Sequence, residues 1–409
     1  MKALIIAGGV PQIELIKQLK NRGITTVLAD GSPSSVARPY ADIFYNVNIF
    51  DIMAIKDIVI KEKVKFIITV CADQVLLVVA EISEMLGLPC YIDYKTAQDV
   101  SDKIRMKKIF KEYGVPTTDY VEIDNFDLNT ISHLQYPLVV KPVDAYSSKG
   151  VRKAENEEEL KQFYAEAEQI SRSGRVIIEE FFRGEEISVD AFVVNGKAKI
   201  LAVTNSEKVK YADRFVIFRG RYPVVASEVL LKKIEDIAQK IVEGFGLVNA
   251  PLLIQLLNNG DEISVLEFCA RTGGNMKWLL IKYSSGVDVI NATIDITLGQ
   301  EPDLELKDTG HNIVVNDFIY CYPGIFDHFE GFDKMVEQGI INEFHPVRTK
   351  GTKMHGVTSS SDRIAGMNIV ADSITDFNRK HRLILSSVKV IDINGNDIMR
   401  RDLLPELIL

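Results

Sequence analysis

The chain has 409 residues, 46% of them hydrophobic and 26% charged, and a formal net charge of -9. It is too long for one ordinary core, globular in composition, and too acidic to favour a nucleic-acid or anionic-membrane surface. No apolar stretch reaches the length that spans a bilayer, and Cys71, Cys90, Cys269 and Cys321 share neither metal-like nor disulfide-like spacing, which suits a reducing cytoplasm.

Strand and helix alternate over residues 1–98. Residues 2–7 and 25–29 read as short buried strands around an amphipathic helix at 11–22, whose Ile13, Leu15, Ile16 and Leu19 favour one face. The apolar run at the start ends at Gly8 and Gly9, so it reads as a strand and not as a secretion signal. Residues 65–70 are a third strand, 74–86 a helix and 89–92 a fourth strand, which together give a doubly wound, Rossmann-like unit. Gly8-Gly9-Val10-Pro11-Gln12 lacks the third glycine of a dinucleotide fingerprint, and Asp30 is then a lone acid, which argues against NAD. Cys71-Ala72-Asp73 stands at a strand's C-terminal end, where α/β sheets bind ligands; the alternative is that Asp73 caps the next helix.

A helix over about 94–115 carries Lys103 and stops at Gly114-Val115-Pro116. The run Tyr136-Pro137-Leu138-Val139-Val140-Lys141-Pro142 is then an apolar strand ending on a lysine. The loop Ser147-Ser148-Lys149-Gly150-Val151 follows. Backbone N–H groups of a Ser/Gly hairpin can approach phosphate oxygens, and a nearby ammonium adds the point charge, so the pair reads as a triphosphate clamp. A P-loop would place its lysine after the glycines instead.

Glu179-Glu180-Phe181-Phe182 follows a buried-type strand and has the composition of an adenine hinge, where main-chain groups read the base edge between apolar walls. Glu186, past the Arg183-Gly184 turn, is spaced to reach ribose hydroxyls. The basic aromatic run at 211–222, with Arg214, Arg219 and Arg221, reads either as a cover for the site or as an exposed loop. Two strands flanking Asn259-Gly260 would put Gln255 and Glu267 near each other on one face, with Cys269 pointing the same way. An acid there can hold Mg²⁺ against phosphates.

In this order and spacing these pieces resemble the ATP-grasp superfamily over essentially the whole chain, and within it the carbamoyl-phosphate-synthase-like and phosphoribosylglycinamide-synthetase-like carboxylate–amine ligases. The resemblance implies an α/β (α+β) architecture. A Rossmann-like pre-ATP-grasp domain would span 1–98 and wall the acceptor site. A two-part ATP-grasp domain would span 99–308, with a mobile lid at about 117–182, and a small α+β domain at 309–409 would complete the module. It also implies ATP and Mg²⁺, with Lys103 and Lys141 on the phosphates and residues 147–151 (Ser147, Ser148, Lys149, Gly150, Val151) as the lid loop. Glu180 and Phe182 would meet adenine through their backbones, with Glu179 and Phe181 beside them. Glu186 would take the ribose, Glu267 the magnesium, and Arg271 the γ-phosphate or the bound carboxylate. Arg271 and Lys141 would be the catalytic pair.

The sequence departs from the family's pattern at the metal. Gln255 stands where an acid is usual and Cys269 where an asparagine is usual, so Glu267 is the one certain carboxylate and Gln255 offers only a carbonyl oxygen. The implied reaction moves the γ-phosphoryl of ATP to a small-molecule carboxylate and joins the acylphosphate to an amine. The alternatives are a small-molecule kinase and a nucleotide-binding protein with a degenerate metal site. Nucleic acid and membrane are not expected partners, and a homodimer is left open. Towards the end, Asp362-Arg363 and Gly366 match an Asp-Arg-x-x-Gly stretch of the same enzymes, and the nearby His355 reads as structural.

Overall fold

The computed structural model describes every residue except 124, 146–148, 210–215, 261 and 409. The N-terminal unit is a parallel sheet of four strands in the order Ile43–Asn46, Thr25–Asp30, Lys2–Ile6, Phe66–Ile68. Its helices are Val10–Asn21, Ile52–Glu62 and Asp73–Leu86. The fourth strand is therefore not where the sequence pointed. Residues 89–92 form no strand, and the edge strand is Ile43–Asn46, a run too short and too half-buried to stand out by periodicity.

The helix expected over 94–115 is two helices, Tyr94–Ser101 and Lys103–Glu112. Asp102 leaves helical geometry between them, and its carboxylate accepts from the N–H groups of Ile104 and Arg105 at 2.9 and 3.0 Å, capping the second helix. Lys103 thereby becomes the first residue of a helix and not an interior one.

A second, antiparallel sheet runs Tyr120–Ile123, Val176–Glu180, Leu138–Pro142, Arg152–Ala154, covered by the helix Glu157–Ile170. Leu138, Val140, Val176 and Ile178 pack with Leu160, Phe163 and Ala167 into a core of its own. The third sheet has eight strands: Glu262–Cys269, Ala250–Asn259, Glu185–Val194, Lys197–Lys208, Ile217–Tyr222, Ile313–Ile319, Ala365–Ala371, Glu343–Pro346. All its neighbours are antiparallel. Three of those strands come from the last hundred residues, so the C-terminal segment extends the central sheet as well as building the small sheet of Lys353–Met354, Gly324–Glu330 and Lys389–Asp392.

Alternation along the central strands sets which side faces the site. Ile187, Val189, Ala191 and Val193 join the apolar cluster beneath the helix Glu228–Gly244, so Glu186, Ser188 and Asp190 take the opposite face. Phe268 is wedged between Phe110 and Phe245, with ring centroids 5.9 and 4.5 Å away, which turns Glu267 and Cys269 to that same opposite face. No helix among the described residues is long and apolar enough to cross a membrane.

Candidate active site

A cleft of about 930 Å³ separates the lid sheet from the central sheet. In the strand Leu138–Pro142, Leu138 and Val140 face the lid core while Val139 and Lys141 line the cleft, as period-two geometry requires. Lys103, Lys149, Lys153 and Lys208 also line it, so five lysines border one space, Lys208 being paired with Glu186 and Lys153 with Glu155. Lys103 Nζ donates to the Ala145 carbonyl at 2.9 Å and lies 3.6 Å from Glu267 Oε2. Lys141 Nζ lies 2.5 Å from Glu179 Oε1, and the other oxygen of Glu179 lies 2.8 Å from Lys107 Nζ.

Of the expected clamp loop, Ser147 and Ser148 lie outside the described residues. Lys149 and Val151 line the cleft. Gly150 has φ +74°, and a Cβ there would come within 2.9 Å of Pro142 and Ile170, so both conformation and space demand glycine.

Glu180, Phe181, Phe182 and Glu186 line the cleft beyond the lid strands. The N–H groups of Glu180 and Phe181 donate to the carbonyls of Asp119 and Pro137, both at 3.0 Å, and Gln135 N–H donates to the Glu180 carboxylate. Glu179 is different from its neighbours. It is 2% exposed and its side chain is taken up by the two lysines. Burial alone would push its carboxyl up, but Lys141 and Lys107 outweigh burial and hold it at about 2. Glu186 is buried too, ion-paired to Lys208 and accepting from Gln255 Nε2 at 3.2 Å.

Gln255 and Glu267 are direct cross-strand partners on the face that lines the cleft. Cys269 stands two residues on, and its thiol bonds Asp73; burial pushes its pKa well above the usual thiol range. It therefore remains a protonated thiol, a poor ligand for a hard cation. Among the described residues no three His, Cys, Asp or Glu side chains cluster as a metal cage. The donor set is one carboxylate and one amide oxygen. It fits Mg²⁺ delivered on a polyphosphate, since that ion is commonly held by one or two carboxylates plus phosphate oxygens.

Arg271 does not line the cleft. It is buried, with Nε donating to Asp73 Oδ1 at 2.6 Å and Nη1 to the Thr272 carbonyl at 2.9 Å. Asp73 is thus the partner of Arg271 and not a cap; the N-cap position belongs to Ala72, which makes no side-chain bond.

Residues 134–278 match the family model described as an ATP-grasp domain. The chain carries an ATP-grasp domain. Over 271 residues it is 28% identical to phosphoribosylamine–glycine ligase of Lactococcus lactis, a match that spans 62% of this chain and 62% of the ligase. Its fold is similar to that of the L-amino acid ligase from Bacillus licheniformis, with TM-score 0.79 and 17% identity over 96% of this chain and 98% of the ligase. It is also similar to the biotin carboxylase domain of 2-oxoglutarate carboxylase from Hydrogenobacter thermophilus, solved with MgADP, ADP and bicarbonate. There the TM-score is 0.77 and the identity 17%, over 95% of this chain and 90% of that one.

Within the ATP-grasp domain, one expectation from the sequence fails on burial. The run at 211–222 does not lay three arginines over the site. Arg214 lies outside the described residues, and Arg219 is 0% exposed, its Nε 2.5 Å from Asp317 Oδ1. Of the two described arginines Arg221 lines the cleft, paired with Glu207 at 3.2 Å. Arg363 of the Asp-Arg-x-x-Gly stretch stacks 3.8 Å from the Phe318 ring and donates to Tyr320 Oη at 3.0 Å, and His355 is exposed. In the N-terminal unit, Asp30 closes on its own loops, accepting from the N–H groups of Gly8 and Ser32 at 2.7 Å each.

Sequence reasoning missed Lys107, Lys153 and Glu207, and the wall contributed by Pro405, Glu406, Leu407 and Ile408. For Lys107 a signal existed. It follows Lys103 by four residues, one helical turn on the same face. The C-terminal wall had none, because its approach depends on Asn378, which exchanges two hydrogen bonds with the Leu407 backbone at 2.9 Å.

Proposed function

We propose that this protein is an ATP-dependent ligase that phosphorylates a small-molecule carboxylate and joins the resulting acylphosphate to an amine, releasing ADP and phosphate. The observation that carries the reading is that Lys103, from the helix Lys103–Glu112, and Lys141, Lys149 and Lys153, from the lid, line one cleft with Glu267 and Gln255 of the central sheet. That is a polyphosphate site facing a cation site. The named ligases among its relatives support it.

In this reading Lys103 and Lys141 contact the phosphates. The Glu180 carbonyl and the Phe182 N–H read the adenine edge, and Glu186 receives the ribose hydroxyls. Glu267, with the Gln255 amide oxygen, would hold Mg²⁺, which supplies charge neutralisation on the phosphate oxygens. An oxygen of the acceptor carboxylate forms the new bond to the γ-phosphorus as the bond to the ADP oxygen breaks. The amine then attacks the acyl carbon, phosphate leaves, and the amine gives up a proton. Positioning and charge stabilisation are what such transfers require. Arg271, buried against Asp73 at the junction with the N-terminal unit, would add its positive charge on the acceptor side from outside the cleft lining. Closure of the lid would keep water from the acylphosphate.

The domain limits 1–98, 99–308 and 309–409 belong to the same proposal, as does a cytoplasmic location, which the four unpaired cysteines suit. A second reading, nucleotide binding without turnover, draws on the single carboxylate at the cation site. Hydroxylamine trapping separates the readings. With carboxylates screened in the presence of ATP, a hydroxamate should accumulate in step with ADP. AMP in place of ADP, or ADP with a phosphorylated alcohol and no trapped acyl group, overturns the ligase reading. Tight ATP binding with no carboxylate-dependent ADP release favours the second.

A further inference from the structure

Two lysines from separate elements meet one buried carboxylate at the floor of the cleft, and they are held differently. Lys107 is 1% exposed. Its ammonium reaches Thr117 Oγ1 at 2.7 Å, Thr118 Oγ1 at 3.3 Å and Glu179 Oε2 at 2.8 Å, so its three protons have three acceptors. Thr118 Oγ1 donates to the same Glu179 oxygen at 3.0 Å, tightening that side. Lys141 lines the cleft and touches Glu179 Oε1 at 2.5 Å. Lys107 is thus anchored by three acceptors, and among the described residues Lys141 has one, the Glu179 carboxylate at the edge of the cleft.

The charges in this cluster do not balance. Two ammonium groups face one carboxylate, against a wall of Ile104, Val143 and Ile177. A buried cluster with one positive charge in excess is completed by an anion, and Lys141 is the member placed to meet it. If Lys141 left Glu179 with nothing else in place, a carboxylate would be stranded out of water, which is strongly unfavourable.

Building on the reading of the cleft as a nucleotide site, we propose that Lys107 is a positioning residue for phosphate binding: it keeps Glu179 neutralised so that Lys141 can turn from that carboxylate to the incoming phosphate. Lys107 itself touches no substrate. Its contribution is to make the transfer of Lys141 free of a stranded charge, and the effect falls on the phosphates and not on the base.

Calorimetric titration of the full chain with ATP and with adenosine tests this in four variants: Lys107→Met, Glu179→Gln, the double Lys107→Met/Glu179→Gln, and Lys141→Ala. Lys107→Met should weaken ATP about tenfold or more while leaving adenosine affinity unchanged. The double variant should regain most of the ATP affinity, because no carboxylate remains to retain Lys141. A merely structural role for Lys107 would move adenosine as much as ATP and give no regain. Unchanged ATP affinity in Lys107→Met, or an equal loss in the double variant, overturns the proposal. If the single Lys107→Met variant does not fold, the electroneutral double variant decides it: a loss of ATP affinity as large as that of Lys141→Ala overturns the proposal. Lys141→Ala with undiminished ATP affinity overturns the nucleotide reading of the cleft itself, a result distinct from a failure confined to Lys107.

Discussion

Arg271 Nε donates to Asp73 Oδ1 at 2.6 Å, tying the end of a central strand to the first turn of a helix in the N-terminal unit. Burial would raise the Asp73 carboxyl, but Arg271, the Cys269 thiol and Lys103 together hold it below the ordinary carboxylate value. A carboxylate with a depressed folded-state pKa adds stability above its unfolded value near 4, and that stability is lost as pH falls through the folded value. Asp73→Asn should therefore cost about 1 to 2 kcal/mol at pH 7, since the pair is partly solvated, and the gap from wild type should close as pH falls below about 4. Urea denaturation of both proteins at several pH values is the check. A gap that stays constant with pH would remove Asp73 from the titration.

Asp317 should matter more, because nothing about its site is solvated. Asp317 and Arg219 are both 0% exposed, and His381 Nε2 stands 3.3 Å from the same carboxylate. Removing the acid leaves the buried guanidinium with only the more distant Glu207 carboxylate, 3.7 Å from its Nη1, so Asp317→Ala should cost about 3 to 5 kcal/mol. Asp317→Leu combined with Arg219→Met should cost much less than the sum of the two single changes. Chemical denaturation of the three variants gives the coupling directly.

Glu186→Ala should weaken ATP while leaving inorganic triphosphate nearly unaffected, because its proposed partner is the ribose. The structure adds a side effect, since Lys208 loses its carboxylate and Gln255 its acceptor. Competitive titration with both ligands measures the ratio, and an equal loss for both would move Glu186 from the ribose to the phosphates.

Gln255→Glu places a third carboxylate beside Glu267 and Glu186. Like charges on paired strands repel, so this variant should melt lower than wild type without divalent cation and recover disproportionately when Mg²⁺ and ATP are added. Thermal melts across a Mg²⁺ series show it. Equal Mg²⁺ response in the two proteins would place the cation elsewhere. Glu267→Gln should lose the response altogether.

What the sequence determined by itself is local. Leu138 to Lys141 could be read as a strand that turns a lysine into a site because period two fixes alternate faces wherever one face is apolar. Gln255 and Glu267 could be brought near each other because a turn at Gly260 joins their strands, but their direct pairing follows from the register shift between Gln255 and Leu256, which the sequence did not announce. The ordered run of such pieces was enough to anticipate the fold and the ATP-grasp domain matched at residues 134–278. What only the tertiary structure decided is which charges neutralise one another. Glu179 looked like part of a base-binding hinge and proves to be the buried counter-charge of Lys107 and Lys141, because two separate elements deliver those lysines to it. Arg219 looked like a cover and is interior, because Asp317 on the neighbouring strand lies directly opposite. Arg271 and Asp73 lie 198 residues apart. Ion pairing depends on distances between elements, and no periodicity within a single element carries that information.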